Sequence, residues 1–450
     1  MIVIDCKRNI NFAFKIFATI ILLLAATPYT KVVYEYGVYF LVAIGSFLFC
    51  LNAWQRKFIF RKIDITVGLF IIGFIITIIT NNLDGLFTQG FVLLCALMYF
   101  FCFFSNDLQT DKEISNENRI IMIFITAFTF ICLICSYALL VFDIMNDVNH
   151  SYNLHGGTAF QFIGIYSGLS TQAMMSGISA IISIYFIYVE IKHRTNRKIF
   201  LIFNIVNFIL QDFALTISYT SASIIAFGAA LWVGLCLMYN NAATNKNGAK
   251  VIIVIVISMI ITVAHYCIMD YTSDIIIDNA FKNHAMQDLN SGNQNQTITA
   301  DNGAKDMFTS NGRSGIWAEA VRLWKEKPIF GNEYGTFYVK FPIEKGFIEY
   351  RNIHSGYLEV LYSCGLWGFI SIMIFGVYYS IQFMRIAIKE RQIEFIGAAM
   401  LIVHACLYAA INQLFILDRS LNMFLICIFL GLARKALQNK EKNDFKVLEK

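Results

Sequence analysis

His354 and Arg313 are the residues of this chain whose types best suit chemistry. An imidazole titrates near neutral pH and can take a proton from a hydroxyl. A guanidinium fork binds phosphate or diphosphate oxygens in pairs. Both lie in one polar stretch, Asp270 to Gly356, which also holds Asn293, Asn295, Asp301, Lys305, Arg322, Lys325, Lys327, Lys340, Lys345 and Arg351. Apolar segments long enough to cross a bilayer flank it on both sides. A histidine with arginines at a membrane–water boundary suits attack of a sugar hydroxyl on a sugar carried by a lipid diphosphate. The arginines would stabilise charge on the departing diphosphate. Taken singly, His354 reads as a structural histidine and Arg313 as a solvated or interfacial arginine; their company in one polar stretch argues for chemistry.

The elements that must position them can be read around them. Gly312-Arg313-Ser314-Gly315-Ile316-Trp317-Ala318-Glu319-Ala320-Val321-Arg322-Leu323-Trp324 places 316, 320, 323 and 324 on one face at helical spacing. Pro328 stops that helix. Arg313 then stands at its N-terminus, and Trp317 and Trp324 suit a helix lying on the membrane surface. Gly331, Gly335 and Gly346 mark turns. His354 directly precedes the next apolar run. The stretch has no cysteine between Asp270 and Arg351, so no disulfide framework is expected in it. Ser291–Thr299 is rich in Asn and Gln, and its Asn295-Gln296-Thr297 sequon reads as fortuitous.

Composition sets the class. The 450 residues are 58% hydrophobic and 14% charged, far below the roughly 25% charged residues of a soluble domain. Continuous apolar runs near 20 residues, such as Ile120–Phe142, exclude a β-barrel, whose segments are about 10 residues long and alternate. With only three prolines, the runs favour unbroken helices. The fold expected is an all-α membrane protein of the GT-C-like kind, with about twelve spans. They fall near 12–28, 36–53, 64–80, 87–104, 120–142, 171–189, 198–216, 221–239, 251–269, 358–380, 393–412 and 420–437. The domains expected are spans one to nine over 1–269, the large loop over 270–357, spans ten to twelve over 358–437 and a tail over 438–450. Cys132 and Cys135 form a C-x-x-C inside a span and read as packing residues. The charged Met1–Arg8 followed by an apolar run reads as an uncleaved first span.

Short loops set the orientation. One side carries Lys7, Arg8, Arg56, Lys57, Arg61, Lys62, Lys112, Arg119, Lys192, Arg194, Arg197, Lys198, Lys246, Lys250, Arg385, Lys389, Arg391, Arg434 and Lys435. The other has Lys31, the base-free Asn81–Asp84 and an Asp143–Ser170 segment without Lys or Arg but with His150 and His155. Both termini are thus expected in the cytoplasm and the large loop in the periplasm, at a bacterial inner membrane. Asn412–Ser420, with Asp418 and Arg419, is a further external segment.

Three motifs carry a family resemblance. Gly312-Arg313-x-x-x-Trp317, then Pro328-x-x-Gly331-x-x-x-Gly335, then Asn352-x-His354-x-x-Tyr357-Leu358-Glu359 with Gly365 and Gly368 resemble the O-antigen ligase and polymerase superfamily in order and in place. The resemblance implies a metal-independent, cofactor-free glycosyltransferase whose donor is a glycan on undecaprenyl pyrophosphate. His354 would activate the acceptor hydroxyl or hold the diphosphate; Arg313 would bind the diphosphate. Arg419 and Arg322 would be further diphosphate contacts. Expected partners are the lipid-linked glycan, an acceptor glycan or lipid A-core, membrane lipids and a chain-length regulator, with no nucleic acid. The sequence departs from the family at Leu215-Thr216-Ile217-Ser218-Tyr219-Thr220-Ser221, where Tyr219 stands at a position members fill with a basic residue.

Two enzyme readings follow. A polysaccharide polymerase would move the growing glycan onto another lipid-linked repeat unit; a ligase would move it to lipid A-core. Tyr219 tilts the choice to the polymerase. A twelve-span transporter would place ionisable groups in mid-membrane and break helices in matching halves. The spans read as nearly free of charge, with Glu190 near an end and His404 isolated. A non-catalytic scaffold would not need His and Arg clustered in the loop.

Overall fold

The computed structural model describes residues 2–54, 62–81, 85–105, 109–141, 152–155, 159–218, 220–242, 253, 255–268, 271, 313–343, 346–412 and 420–448. Helices follow the apolar runs, because a backbone in lipid must satisfy its own N–H and C=O groups. The first five are α1 (Ile2–Leu24), α2 (Lys31–Trp54), α3 (Ile65–Thr80), α4 (Leu86–Met98) and α5 (Asp111–Val141). After them come α6 (Leu169–His193), α7 (Lys198–Ile217), α8 (Ser221–Ala242) and α9 (Ile255–Ile268). The last four are α10 (Arg313–Trp324), α11 (Gly356–Glu390), α12 (Glu394–Ile411) and α13 (Leu421–Leu448). Among the described residues, ten helices are long and apolar enough to cross a membrane. Two shorter apolar helices, Ile10–Leu24 and Ile255–Ile268, occupy the expected first and ninth spans. This is a helical, multi-pass membrane protein. α13 continues to Leu448, past the boundary expected at 437.

Two short hairpins interrupt the all-α expectation. β1 (Tyr152–His155) pairs antiparallel with β2 (Ala159–Phe162), and β3 (Val339–Ile343) with β4 (Gly346–Tyr350). The alternation Val339-Lys340-Phe341, mirrored by Ile348-Glu349-Tyr350, has the period of two that a strand needs.

The spans are not free of charge. Lys15 in α1 bonds Glu117 of α5 at 2.8 Å, and both are buried. Asp64 pairs with Arg434 of α13 at 3.1 Å and accepts from Tyr379 Oη at 2.9 Å. Asp212 of α7 pairs with His265 of α9 at 3.0 Å. Each charge has a partner, as its desolvation requires. Between α5, α6 and α7, Thr129 Oγ1 donates to Ser179 Oγ at 2.7 Å, and Asn207 Nδ2 donates to Ser183 Oγ at 2.7 Å. Such bonds fix helix pairing where lipid supplies no hydrophobic drive.

α11 is one helix by length and two by geometry. Its 35 residues are broken at Gly365, with φ 62° and ψ −170°. Gly356–Cys364 forms a short first part; the portion after Gly365 is about 38 Å long at 1.5 Å per residue, enough to cross the bilayer. The break frees two N–H groups, and the loop after α10 fills them. Leu366 N donates to Pro328 O at 2.9 Å and Trp367 N to Ile329 O at 3.0 Å, while Asn332 N donates to Tyr362 O at 2.7 Å. The backbones cross so closely that a Cβ on Gly331 would lie 2.4 Å from Gly365 N, and one on Gly365 would lie 2.3 Å from Ile329 O. The two motif glycines therefore serve one crossing. α3 and α4 brace it: Thr77 Oγ1 donates to Phe330 O, and Gln89 Nε2 donates to Tyr334 O at 2.8 Å.

Candidate active site

α10 forms where its apolar face predicts, but that face meets protein. Ile316 and Ala320 are buried with Phe337, Val339, Ile353 and Tyr362, and Trp317 and Leu323 pack against them. The helix is thereby fixed between the β3–β4 hairpin and the first part of α11. The expectation of a helix resting on the membrane surface by this face is corrected, since the face is already covered.

That packing brings Arg313 to His354. One turn along from Arg313, Trp317 Nε1 donates to Ile353 O at 3.0 Å, which ties α10 to the residue before the histidine. Ile353 is fully buried and Ser355 nearly so, which leaves His354 half-exposed between two anchors. Ser355 caps α11, its hydroxyl accepting from Leu358 N at 3.5 Å. Gly356 N donates to Asn412 O at 2.9 Å, and Tyr357 Oη to Cys406 O at 3.1 Å, which fastens the histidine turn to α12. His354 itself has φ 55°. Among the described residues the other non-glycine positive-φ positions, Arg194 and Arg391, end helices. A left-handed histidine costs about 1–2 kcal/mol and persists where surrounding contacts hold it.

The electrostatics suit a base beside an anion site. Burial pushes the His354 pKa below its ordinary 6.5, and the Arg313 charge pushes it the same way. The imidazole is therefore neutral at neutral pH and able to accept a proton. Burial also lowers the Arg313 pKa, with the Tyr408 hydroxyl opposing; a guanidinium stays charged through such shifts. α10 begins at Arg313 and α11 two residues after His354, so two helix N-termini, with their positive ends, lie beside the pair. Tyr408, fully buried on α12, donates to Ser170 O at 2.8 Å and stacks on His404 with centroids 6.0 Å apart.

The other expected contacts fall differently. Arg322 lies nine residues along α10, about 14 Å away and half a turn round. It is exposed and held by Glu319 at 2.7 Å and Glu326 at 2.8 Å, so the structure does not bring it to Arg313 and His354. Arg419, Asp418, Tyr219, His150 and the first part of the loop, 272–312, lie outside the described residues. Sequence reading missed Tyr408, Ser170 and the carbonyl of Asn412. A tyrosine in an apolar run gives little signal, and a backbone carbonyl gives none. Among the described residues no group of three or more His, Cys, Asp or Glu could hold a metal ion.

Residues 205–373 match the family model described as O-antigen ligase. The match runs from within α7 through α10, the glycine crossing and His354 to the upper part of α11. Over this segment, less than half of the chain, the protein is similar to the O-antigen ligase and polymerase superfamily, a class of polytopic glycosyltransferase-like membrane enzymes. No curated protein matches the chain.

Proposed function

We propose that this chain is a polysaccharide polymerase of the O-antigen ligase family, with a glycan on undecaprenyl pyrophosphate as donor and a sugar hydroxyl of another lipid-linked repeat unit as acceptor. The observation that carries the reading is the pairing of Arg313 with a neutral His354 at the starts of two helices. His354 takes the acceptor's proton as its oxygen attacks the anomeric carbon. The bond from that carbon to the diphosphate oxygen breaks, and the diphosphate leaves with its charge on Arg313 and the helix N-termini. The proton ends on His354 and passes to water. The site faces the periplasm of a bacterial inner membrane, with both termini cytoplasmic, as the loop charges of the sequence support. Arg419 is proposed as a further diphosphate contact. The same chemistry with lipid A-core as acceptor is the ligase, and Tyr219 in place of a basic residue favours the polymerase.

The test is a lipopolysaccharide gel from a deletion strain complemented with wild type, His354→Asn or Arg313→Gln. Asn is the cleaner replacement because it tolerates positive φ. Core plus one repeat unit in the deletion supports the polymerase; bare core with polymer left on its carrier means the ligase. A variant that reaches the membrane at normal level and restores the full ladder removes its residue from the mechanism.

A further inference from the structure

A polar face runs the length of α6. Gln172, Ser176, Ser179, Ser183 and Glu190 follow one another at steps of four, three, four and seven residues, which keeps them on one side of a helix. All of them are buried. α7 answers with Asn204, Asn207 and Gln211 at steps of three and four, each fully buried. From Gln172 to Glu190 the face is about 27 Å long, close to the thickness of a bilayer's hydrocarbon core.

Part of this polarity joins helices. Thr129 of α5 and Asn207 of α7 both donate to Ser179 Oγ, at 2.7 and 3.0 Å, and Asn207 also reaches Ser183 Oγ. Gln211 Nε2 donates to Asn207 Oδ1 at 3.2 Å, Gln172 Nε2 to Ser176 Oγ at 3.0 Å and Asn204 Nδ2 to Phe200 O at 2.8 Å. Those bonds use the amide nitrogens and leave oxygens over. Gln172 Oε1, Gln211 Oε1, Asn204 Oδ1 and both carboxylate oxygens of Glu190 are buried, and none has a hydrogen-bond partner among the described residues. Arg119 Nη2 stands 3.9 Å from Glu190 Oε1, beyond hydrogen-bond range. Helix pairing does not account for these oxygens, because an acceptor that meets no donor fastens nothing and is costly to bury.

Their placement says what fills the seam. Asn207 bonds α6 at Ser179 and Ser183; Gln211 lies about 6 Å from it towards the Gln172 end and Asn204 about 5 Å towards the Glu190 end. Acceptors so far apart cannot ring one cation, whose oxygens all lie about 2–2.6 Å from it. They suit waters, each donating to acceptors and accepting from a hydroxyl or amide. One end of the seam meets solvent: Lys192, Arg194, Arg197 and Lys198 are exposed close to Glu190 in the chain, and the Arg119 side chain is 38% exposed. Towards the other end the fully buried Tyr166 donates to Thr129 O at 3.5 Å.

We infer that α5, α6 and α7 enclose a half-channel, a file of bound water that enters at Glu190 and Arg119, runs along Ser183 and Ser179 and ends below Tyr166. Glu190, at the mouth, is the member of the face that can give or take a proton. A polar file of this length inside a membrane helix is costly and marks a path for water or protons more than a packing device. The inference does not rest on the glycosyl-transfer reading, since it uses neither Arg313 nor His354.

The test is water-edited solid-state NMR of the full chain, isotope-labelled and set in lipid bilayers, with water itself as the probe. Magnetisation passes quickly from water only to groups that water touches. The side-chain amides of Asn204, Asn207 and Gln211 are expected to fill from water about as fast as that of the exposed Gln392. They should fill several-fold faster than the backbone N–H of Ile181, fully buried on the opposite face of α6. Wild-type amides that fill no faster than Ile181 would mean a dry seam and overturn the proposal without any variant. Ser183→Leu, placed between the mouth and Gln211, is expected to slow the filling of Gln211 several-fold, and the milder Ser183→Val to slow it less. Gln172→Leu, at the closed end, is expected to leave Asn204 and Asn207 as they were. Unchanged filling of Gln211 in both Ser183 variants, or its loss in Gln172→Leu, would mean a different entrance and overturn the half-channel. Signals of Gln172 or Asn204 that shift when sodium is replaced by choline would mean a bound cation, and would overturn it too.

Discussion

At the residue scale the argument concerns what sets the proton affinity of His354. Burial is the larger cause of its lowered pKa and the Arg313 charge the smaller. Activity should therefore fall only as pH drops below 6.5, through the depressed value. Arg313→Gln removes the smaller cause, so the acid limb of the pH–rate profile should move up towards 6.5 without reaching it. The rate should fall by roughly 100-fold or more with the loss of a diphosphate donor. An acid limb that stays in place would separate the two residues. The same shift has a sign in stability. The unfolded chain binds the proton more readily, so His354 leaves stability at its full value above 6.5 and lowers it as pH falls from there to the folded pKa. Trp317→Phe tests positioning. It keeps the ring in the small core and removes the bond to Ile353 O, so stability should fall by about 1 kcal/mol. The transfer rate should fall by more than that loss of folded protein explains.

At the element scale the kink of α11 decides where the histidine turn sits. Gly365 occupies a backbone region open essentially to glycine alone, and its missing Cβ is filled by Ile329. Gly365→Ala should destabilise by about 3 kcal/mol or more. Gly376→Ala, in the same helix with open space at its Cβ, should be neutral or stabilise by about 0.5–1 kcal/mol. Thermal unfolding of the two variants in detergent checks the contrast; similar melting points would mean that the loop adjusts. The motif glycines Gly331, Gly365 and Gly368 were legible as a pattern, since glycine is conspicuous in sequence. The purpose of Gly331 and Gly365 was not, because the atoms that exclude a Cβ at each belong to a segment more than thirty residues away in the chain. The β3–β4 hairpin was legible in principle from its alternation and was passed over beside the stronger helical periodicity of α10.

At the scale of the whole molecule, buried ion pairs join helices far apart in sequence. Arg434→Met would take from the buried Asp64 carboxylate its guanidinium partner. It should cost about 3–5 kcal/mol, and Asp64→Leu together with Arg434→Met should cost much less, because the expense lies in an uncompensated charge. Chemical unfolding of the two single variants and the double variant measures this, and additive losses would rule the coupling out. Lys15 and Glu117 should behave alike.

Sequence alone determined the class: long apolar runs can bury their polar backbone only as helices, so a chain of this composition had to be a helical membrane protein. It also determined which residues could do chemistry, because one polar stretch gathered the histidine and arginines beside a span. The tertiary structure decided which of them meet. Arg313 and His354 come together because Ile316, Ala320 and Ile353 share one small core, whereas Arg322, on the opposite face of the same helix, is turned to solvent and its own glutamates. Helical periodicity fixes the face a residue occupies; only packing fixes what that face meets.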